Sequence, residues 1–310
     1  MTVDAKQPLK TTPVITQIGS VHRRRNRFIL FWDALRHSPV GLIGLLIVLS
    51  LLLLAVFGGF ITPHDPAQNN LRARFMQPGF TNEVGVFVLG TDQLGRDIFS
   101  RIIVGSTVSV LVGVVSVIIA GTLGVLLGLV SGFFGGWVDN ILMRLADGLL
   151  SIPFIILVVA ISGVLSAGLG TLILILGLTG WVTYARVIRS EVLKAREMEY
   201  IVAAYAIGHR RLSIMFQHIL PNVISSGIIL AASQVGVAIL AESSLSFLGL
   251  GVKPPTVTWG LMLADGRQYI NSAWWMTTFP GIAITITVLG ITFLGDWLRD
   301  LLDPKVRGRN

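Results

Sequence analysis

Long apolar runs separated by short polar segments make up most of this chain. The first uncharged run extends over residues 40–61 and is bracketed by Pro39 and Pro63. About 20 apolar residues cross the hydrocarbon core of a bilayer, so this run predicts a first transmembrane helix. Further apolar runs that predict spans cover 102–138, 148–185, 222–247 and 275–294.

The run over 148–185 is too long for a single span. The small-residue patch SGVLSAGLG at 162–170 divides it, which brings the predicted total to six transmembrane helices in an all-α membrane fold. The polar, proline-containing segments 62–101 and 249–273 are predicted to be loops outside the membrane. An even number of spans places both termini on one side.

The distribution of Lys and Arg decides the orientation of the spans. With a cytoplasmic N-terminus, the inner segments hold 18 of the 24 Lys and Arg residues and the outer loops hold 6. This bias predicts that both termini are cytoplasmic. The basic segment 1–38 is too long for the start of a signal peptide, so the first run should remain as a span. Residues 28–35 are either an interfacial amphipathic helix or a plain basic flank.

The composition supports an integral membrane protein without chemistry of its own. Hydrophobic residues make up 53% and charged residues 13%, against roughly 25% charge in soluble chains. The chain has no cysteine, its five histidines show no metal-ligand spacing, and it lacks a G-x-x-x-x-G-K-[ST] phosphate loop. We therefore expect neither an enzyme nor a metal protein. The Lys and Arg residues behind the net charge of +8 lie mainly in the segments predicted to be cytoplasmic. The charge is therefore explained by membrane topology, and we expect no nucleic-acid partner.

One amphipathic segment, 190–221, interrupts the spans on the predicted cytoplasmic side. It contains two helical patterns, and Gly208 between them can adopt the positive φ that ends a helix. Pro221 is predicted to end the second pattern. A helix–turn–helix between two spans predicts a docking site for another protein. The apolar positions are Met198, Ile201, Val202 and Tyr205, then Leu212, Met215, Phe216 and Ile219.

Two polar residues lie inside the fifth predicted span. Glu242 follows Asn222 by about 30 Å of helix, which places it near the outer interface. It is either an interfacial carboxylate paired with Ser243, Ser244 or water, or a gate or pore-lining residue. Gln234, in mid-span, is a second pore candidate. The near absence of other titratable groups in the spans disfavours a proton-coupled carrier.

Two further clusters each have two interpretations. Three glycines spaced by four residues let another helix approach closely, either within this chain or from a partner subunit. Three charged residues of the first outer loop either contact a ligand or, as such residues more often do, form turns and helix caps. The clusters are Gly124, Gly128 and Gly132, and Asp92, Arg96 and Asp97.

Four segments, in order, resemble one family of membrane proteins. They are LGTDQLGRDIFSR at 89–101, the loop in which Ala203, Ala204 and Gly208 precede Pro221 of ILPN, SLSFLGLGVKPPTVTWG at 244–260, and GDWLRDLLDPK at 295–305. Together they resemble the "C" subunit of the dipeptide/oligopeptide (peptide/nickel) permeases of ATP-binding-cassette (ABC) importers. The similarity extends from about residue 28 to the C-terminus.

The resemblance implies a type I importer permease in the bacterial inner membrane. A second, homologous permease would form the other half of the path, two ATPase subunits would bind ATP and Mg²⁺, and an extracytoplasmic binding protein would deliver the solute. No cofactor is expected in this chain. An ATP-independent secondary transporter or channel is the alternative. The solute stays open, because peptides, nickel complexes and glutathione share this permease type, and peptides are expected on family frequency alone.

The resemblance also implies site residues and boundaries. The family's "EAA" loop carries the helix that docks into the ATPase. This chain has Val202 where the family often has Glu in that loop. In the C-terminal motif, Trp297 stands where the family usually has a small residue. The implied divisions are a cytoplasmic segment 1–38, a first helix with its outer loop 39–101, a permease domain 102–298 and a tail 299–310. The implied coupling residues are Val202, Ala203, Ala204, Tyr205, Gly208, Arg210 and Pro221.

Overall fold

The structure is a computed structural model, and it describes residues 32, 35–82, 85–166 and 168–302. The interfacial helix considered over 28–35 therefore lies almost wholly outside the described residues, as does most of the tail. The first half of the chain contains α1 (Pro39–Ile61), a 3₁₀ turn (Leu71–Ala73), the antiparallel strands β1 (Phe80–Asn82) and β2 (Gly85–Phe87), α2 (Ile98–Phe134), α3 (Gly136–Ser151) and α4 (Phe154–Leu165).

The second half begins with the 28-residue helix α5 (Leu169–Arg196). A π-helical segment, Ile214–Ile219, joins a short helix to the next long one, and a 3₁₀ turn, Arg267–Tyr269, precedes the last helix. The remaining helices are α6 (Glu199–Ala206), α7 (Arg211–Ser213), α8 (Leu220–Phe247), α9 (Trp259–Gly266) and α10 (Trp275–Leu302).

Five helical segments among the described residues are long and apolar enough to cross a membrane: α1, α2, α5, Arg211–Phe247 and α10. Helices α3 and α4 pass this test only as a pair that is bent by 90°. Counting the pair as one span gives the predicted six. The division inside 162–170 is also confirmed, because α4 ends at Leu165 and α5 begins at Leu169.

The third span is not the straight helix that an apolar run starting at residue 148 predicts. Helix α3 already begins at Gly136, ends at Ser151, and is followed by the bend. Pro153 explains the break, since it has no N–H to donate and disfavours helical backbone at the residue before it. The charged residues Asp139 and Arg144 therefore belong to a helix and not to a connecting loop.

Pro221 does not end the second cytoplasmic helix, contrary to the prediction. The helical path is continuous from Arg211 to Phe247, and Pro221 lies in the first turn of α8. The N–H of Leu220 donates to the carbonyl of Met215, five residues earlier. This wider π turn offsets the carbonyls from the proline ring, which would clash in a regular α-helix. The cytoplasmic segment thus continues directly into a span.

The glycine stripe of α2 packs within this chain, against α5. A Cβ added at Gly124 would lie 2.5 Å from the carbonyl oxygen of Trp181, and one at Gly128 would lie 2.6 Å from that of Ala185. A Cβ at Gly132 would lie 2.8 Å from the Cβ of Val192, farther along α5. Only glycine lets the two backbones approach to this distance. The intrachain interpretation is therefore the correct one.

We expect Gly124→Ala to destabilise the chain by about 1–3 kcal/mol, the usual cost of overpacking a tight contact. The new methyl group would have to displace backbone atoms of α5. Gly121→Ala is the matched control, because its Cβ would meet Tyr184 at an ordinary 3.4 Å. The measurement is thermal unfolding of the purified chain in detergent. Equal melting temperatures for the two variants would contradict the close α2–α5 contact.

Trp297 is accommodated by a glycine on a neighbouring helix. Its side chain is 7% exposed, and a Cβ at Gly41 of α1 would lie 2.5 Å from its Cγ. Gly44 and Gly290 make further close approaches between α1 and α10. The large residue at this position therefore packs α10 against α1 without disturbing the helix.

Candidate functional site

Helix α6 presents one face to the core of the chain and the other to solvent. Ile201 is 0% exposed and packs in a cluster with the ends of α2 and α5 and with the π-helical segment. Val202 and Tyr205 are 56% and 40% exposed, and Ile207 just beyond the helix is 75% exposed. The outer face of α6 is therefore apolar and accessible.

The predicted coupling residues do not all lie on that face. Ala203, Gly208 and Arg210 are exposed, together with Val202 and Tyr205. Ala204 is buried in the same cluster as Ile201, because residues three apart share one side of a helix. Its side chain is not available to a partner, which corrects that assignment. Gly208 has φ +82° with no atom within 4 Å of an added Cβ, as expected for the turn that follows α6.

A hydrogen-bonded link joins α6 to the span that follows. The side-chain amide of Asn222 donates to the hydroxyl of Tyr200 at 2.5 Å and to the carbonyl of His218 at 2.8 Å. The rings of His218 and His209 contact edge to face at 5.6 Å between centroids. These contacts connect α6 directly to the first turn of α8. The sequence patterns did not reveal this link, since Tyr200 and Asn222 fall outside both apolar stripes.

Half-buried charges hold α5 in place just ahead of α6. The guanidinium of Arg189 makes two hydrogen bonds of 2.5 Å to the carboxylate of Asp139 on α3. Arg196 donates to the carbonyl of Gly132, at the end of α2, at 2.8 Å. Ser131 donates to the same Asp139 carboxylate. The cytoplasmic ends of α2, α3 and α5 are thus held together where α6 begins.

The charged residues of the first outer loop form a turn and a helix cap. The carboxylate of Asp92 accepts from the backbone N–H groups of Leu94 and Arg96, and from the Arg96 Nε at 2.6 Å. Asp97 caps α2 by accepting from the N–H of Ser100 at 3.0 Å. Both carboxylates are almost completely buried. The structural interpretation of this cluster is confirmed.

Two arginines and two aspartates join this loop to α9. Arg101 is 3% exposed and lies 3.6 Å from both Asp92 and Asp265. Arg96 approaches the same two carboxylates, at 2.6 and 3.3 Å. Four charges of balanced sign are therefore grouped at the outer ends of the helices, and they fix α9 relative to α2.

Glu242 is buried, and one of its predicted partners, Ser243, pairs with it. It is 0% exposed, and its carboxylate accepts from the hydroxyls of Ser246 at 2.7 Å and Ser243 at 3.2 Å. Ser244, the other predicted partner, donates instead to its own helix. The start of α9 covers this part of α8, since a Cβ at Gly260 would lie 2.6 Å from the Cα of Ser243. The carboxylate of Glu242 is therefore satisfied by serine hydroxyls beneath the start of α9.

Gln234, the other pore candidate, lines a cavity of about 410 Å³ in the middle of the spans. The walls come from α2, the bend between α3 and α4, α5 and α8. Most of the lining is aliphatic. The polar lining residues are Ser116, Thr179, Thr183, Tyr184 and Gln234.

Comparison with known proteins identifies related chains over nearly the whole length. The dipeptide transport system permease protein DppC of Bacillus subtilis is 38% identical over 277 residues, which are 89% of this chain and 85% of that protein. The oligopeptide transport system permease protein OppC of the same species is 36% identical and covers 95% and 96%. The glutathione transport system permease protein GsiD of Escherichia coli is 37% identical and covers 90% of each chain.

Two family models match the chain. The model described as the N-terminal transmembrane domain of oligopeptide transport permease C matches residues 26–78. The model described as the binding-protein-dependent transport system inner membrane component matches residues 124–308, which is more than half of the chain. The matched region contains α6 and every wall of the cavity except that from α2 before Gly124. This chain therefore belongs to the family of inner-membrane permease components of binding-protein-dependent transport systems.

Proposed function

We propose that this chain is one of two permease subunits of an ATP-driven type I importer for peptides or similar small solutes. The permeases named for dipeptide, oligopeptide and glutathione transport support this solute class. Two cytoplasmic ATPases would supply the energy, and an extracytoplasmic binding protein would deliver the solute. ATP and Mg²⁺ would bind to the ATPases, and the present chain would form half of the path.

The observation that carries the proposal is the exposed apolar face of α6. Val202, Tyr205 and Ile207 leave a hydrophobic surface on a segment otherwise rich in Arg and His, and such surfaces mark protein contacts. The buried face of α6 and the Tyr200–Asn222 bond attach it to α8. A force applied to α6 by a docked ATPase would therefore reach a helix that lines the cavity.

In this mechanism the present chain performs no bond chemistry. ATP binding draws the two ATPases together, and α6 moves with the ATPase into which it docks. The spans then change between inward-facing and outward-facing arrangements. ATP closes the pair of ATPases, and the closed pair binds one arrangement of the spans more tightly than the other. This difference in affinity is what shifts the equilibrium between the two arrangements.

The test is reconstitution of the chain with its co-expressed partners in proteoliposomes. We expect uptake of a dipeptide to require both ATP and the binding protein, and to stop when either is omitted. The alternative class, a secondary transporter or channel, predicts uptake by the purified chain alone under an ion gradient. Uptake of that kind would overturn the importer proposal.

A further inference from the structure

An open apolar groove lies between the outer ends of α8 and α10 and shares no lining residue with the central cavity. Its volume is about 510 Å³, within the range of roughly 300–1,000 Å³ that is usual for small-molecule sites. One wall is the end of α8, the opposite wall is the first three turns of α10, and α9 closes the groove between them. The apolar lining residues are Leu240, Phe247, Leu248, Leu263, Gly281 and Ile284.

The groove lies in the outer half of the membrane. Gly281 and Ile284 follow Trp275, the first residue of α10, by roughly 9 and 14 Å of helix at 1.5 Å per residue. Half of the hydrocarbon core of a bilayer is about 15 Å thick. The exposed Trp274 just before α10 is typical of a helix end at the membrane–water interface. The groove therefore has the depth of the acyl chains of the outer leaflet.

The hydroxyl groups of the groove are already engaged within the chain. Among the described lining residues, the polar ones are Ser243 and Ser244. Ser243 donates to the carboxylate of Glu242 at 3.2 Å, and Ser244 donates to the carbonyl of Leu240 at 2.8 Å. Amide groups of a solute would lose their hydrogen bonds to water here without replacement. A hydrocarbon chain has no such cost, so the walls favour an acyl chain.

An arginine stands at the outer end of the groove. Arg267 is exposed, and its Cζ lies 5.7 Å from the ring centroid of Phe247, a lining residue. Asp265, two positions earlier, pairs instead with Arg96 and Arg101. Among the described residues, no carboxylate pairs with Arg267. A guanidinium matches the geometry of a phosphate group, so Arg267 is available to a phosphate above the apolar walls.

We infer that this groove binds an anionic phospholipid of the outer leaflet, with an acyl chain between α8 and α10 and the phosphate group on Arg267. Free phosphate would leave the apolar walls uncovered, and a hydrocarbon without a headgroup would leave Arg267 without an anion. A zwitterionic lipid would bring its ammonium group close to the guanidinium, with no carboxylate free to bind it. The site involves neither the solute nor ATP, so it stands apart from the proposed function.

Photo-crosslinking with lipid probes tests the site directly. The chain, purified with its co-expressed partners, is placed in phosphatidylcholine nanodiscs. These contain the same small fraction of either phosphatidylglycerol or phosphatidylcholine with a diazirine on one acyl chain. After illumination, mass spectrometry of peptides gives the yield of lipid adducts along each helix. The outward face of α1, where Leu46 and Phe57 are exposed, reports ordinary contact with the bilayer.

We expect the phosphatidylglycerol probe to label residues 240–248 and 281–284 about fivefold more than the phosphatidylcholine probe, the usual gain from one basic residue facing an anionic lipid. The two probes should label α1 equally. Arg267→Gln should bring the ratio at the groove close to one. Arg74→Gln is the matched control and should leave the ratio unchanged, because Arg74 is also exposed outside the membrane with its Cζ 5.4 Å from an aromatic ring, that of Phe75.

Gly281→Leu tests the acyl part of the site, because its side chain would fill the groove. An added Cβ there would meet only Leu263, at 4.0 Å, so the helix has room for the larger residue. Labelling of residues 240–248 by both probes should fall at least threefold, and labelling of α1 should not change.

Equal labelling of the groove by the two probes would show ordinary contact with the bilayer and would overturn the inference. A ratio that Arg267→Gln leaves unchanged would overturn it as well. Absence of groove labelling in the complex would do the same, and labelling that then returned in the chain purified alone would show that a partner protein covers the groove. Because none of these measurements uses transport, the site and the importer proposal can fail independently.

Discussion

Arg101→Met should destabilise the chain by about 3 kcal/mol and lower its melting temperature by several degrees. Removing one member of a buried ion pair typically costs about 3–5 kcal/mol, because the remaining charge stays buried without compensation. Arg101 is 3% exposed and faces both Asp92 and Asp265. Arg96 still contacts the same carboxylates, so we expect the lower end of this range. The measurement is thermal unfolding of the purified chain in detergent.

The control for this prediction is Arg186→Met. Arg186 also pairs with an aspartate, Asp147, at 2.6 Å, but the two side chains are 48% and 65% exposed. Exposed pairs contribute at most about 1 kcal/mol, since water solvates the separated charges well. A melting temperature that falls equally in both variants would show that burial does not determine the contribution of these pairs.

Gly208→Val should uncouple ATP hydrolysis from transport. Gly208 has φ +82°, and no neighbouring atom would obstruct the new side chain. A left-handed backbone nevertheless costs a β-branched residue about 1–2 kcal/mol. The turn can relieve that strain by rotating α6 relative to α7, which misaligns the exposed face. We expect transport per ATP hydrolysed to fall at least tenfold in proteoliposomes, while ATP hydrolysis continues.

Gly249→Val separates this effect from backbone strain in general. Gly249 follows α8 with φ +79° and also has no atom within 4 Å of an added Cβ. It lies at the other end of that helix from the cytoplasmic segment. The variant should therefore retain its ATPase partners and its coupling ratio. If both variants lost coupling to the same extent, the specific role assigned to the Gly208 turn would be wrong.

The helices of the fold were largely predictable, because a bilayer imposes a length and a composition on anything that crosses it. The run over 40–61 corresponds to α1, and the small residues at 162–170 mark a true break. The bend at Pro153 was not predicted, since an apolar run has the same hydropathy whether its helix is straight or bent. Pro221 was predicted to end a helix, but the helix continues through it, because a π turn accommodates a proline that would interrupt an α-helix.

The candidate sites were predictable only in part. Helical periodicity located α6 and the Gly208 turn, but it could not decide which side of α6 the core would cover. Ala204 consequently lies inside, whereas Val202 lies outside. Glu242 was judged from its distance along one helix, and the covering segment that buries it comes from α9. Ion pairs such as Asp139–Arg189 join residues about 50 positions apart, which no local pattern connects.

The sequence by itself determined the membrane class, the spans, the orientation expected from Lys and Arg, and the resemblance to peptide permeases. These follow from one-dimensional properties: the length of apolar runs, the placement of charge and the order of short motifs. Only the tertiary structure decided which side chains share a cavity. Gln234 was marked in the sequence as a polar residue in mid-span, but the packing of α2, α5 and α8 is what places it beside Thr183 on the wall of one uncharged cavity.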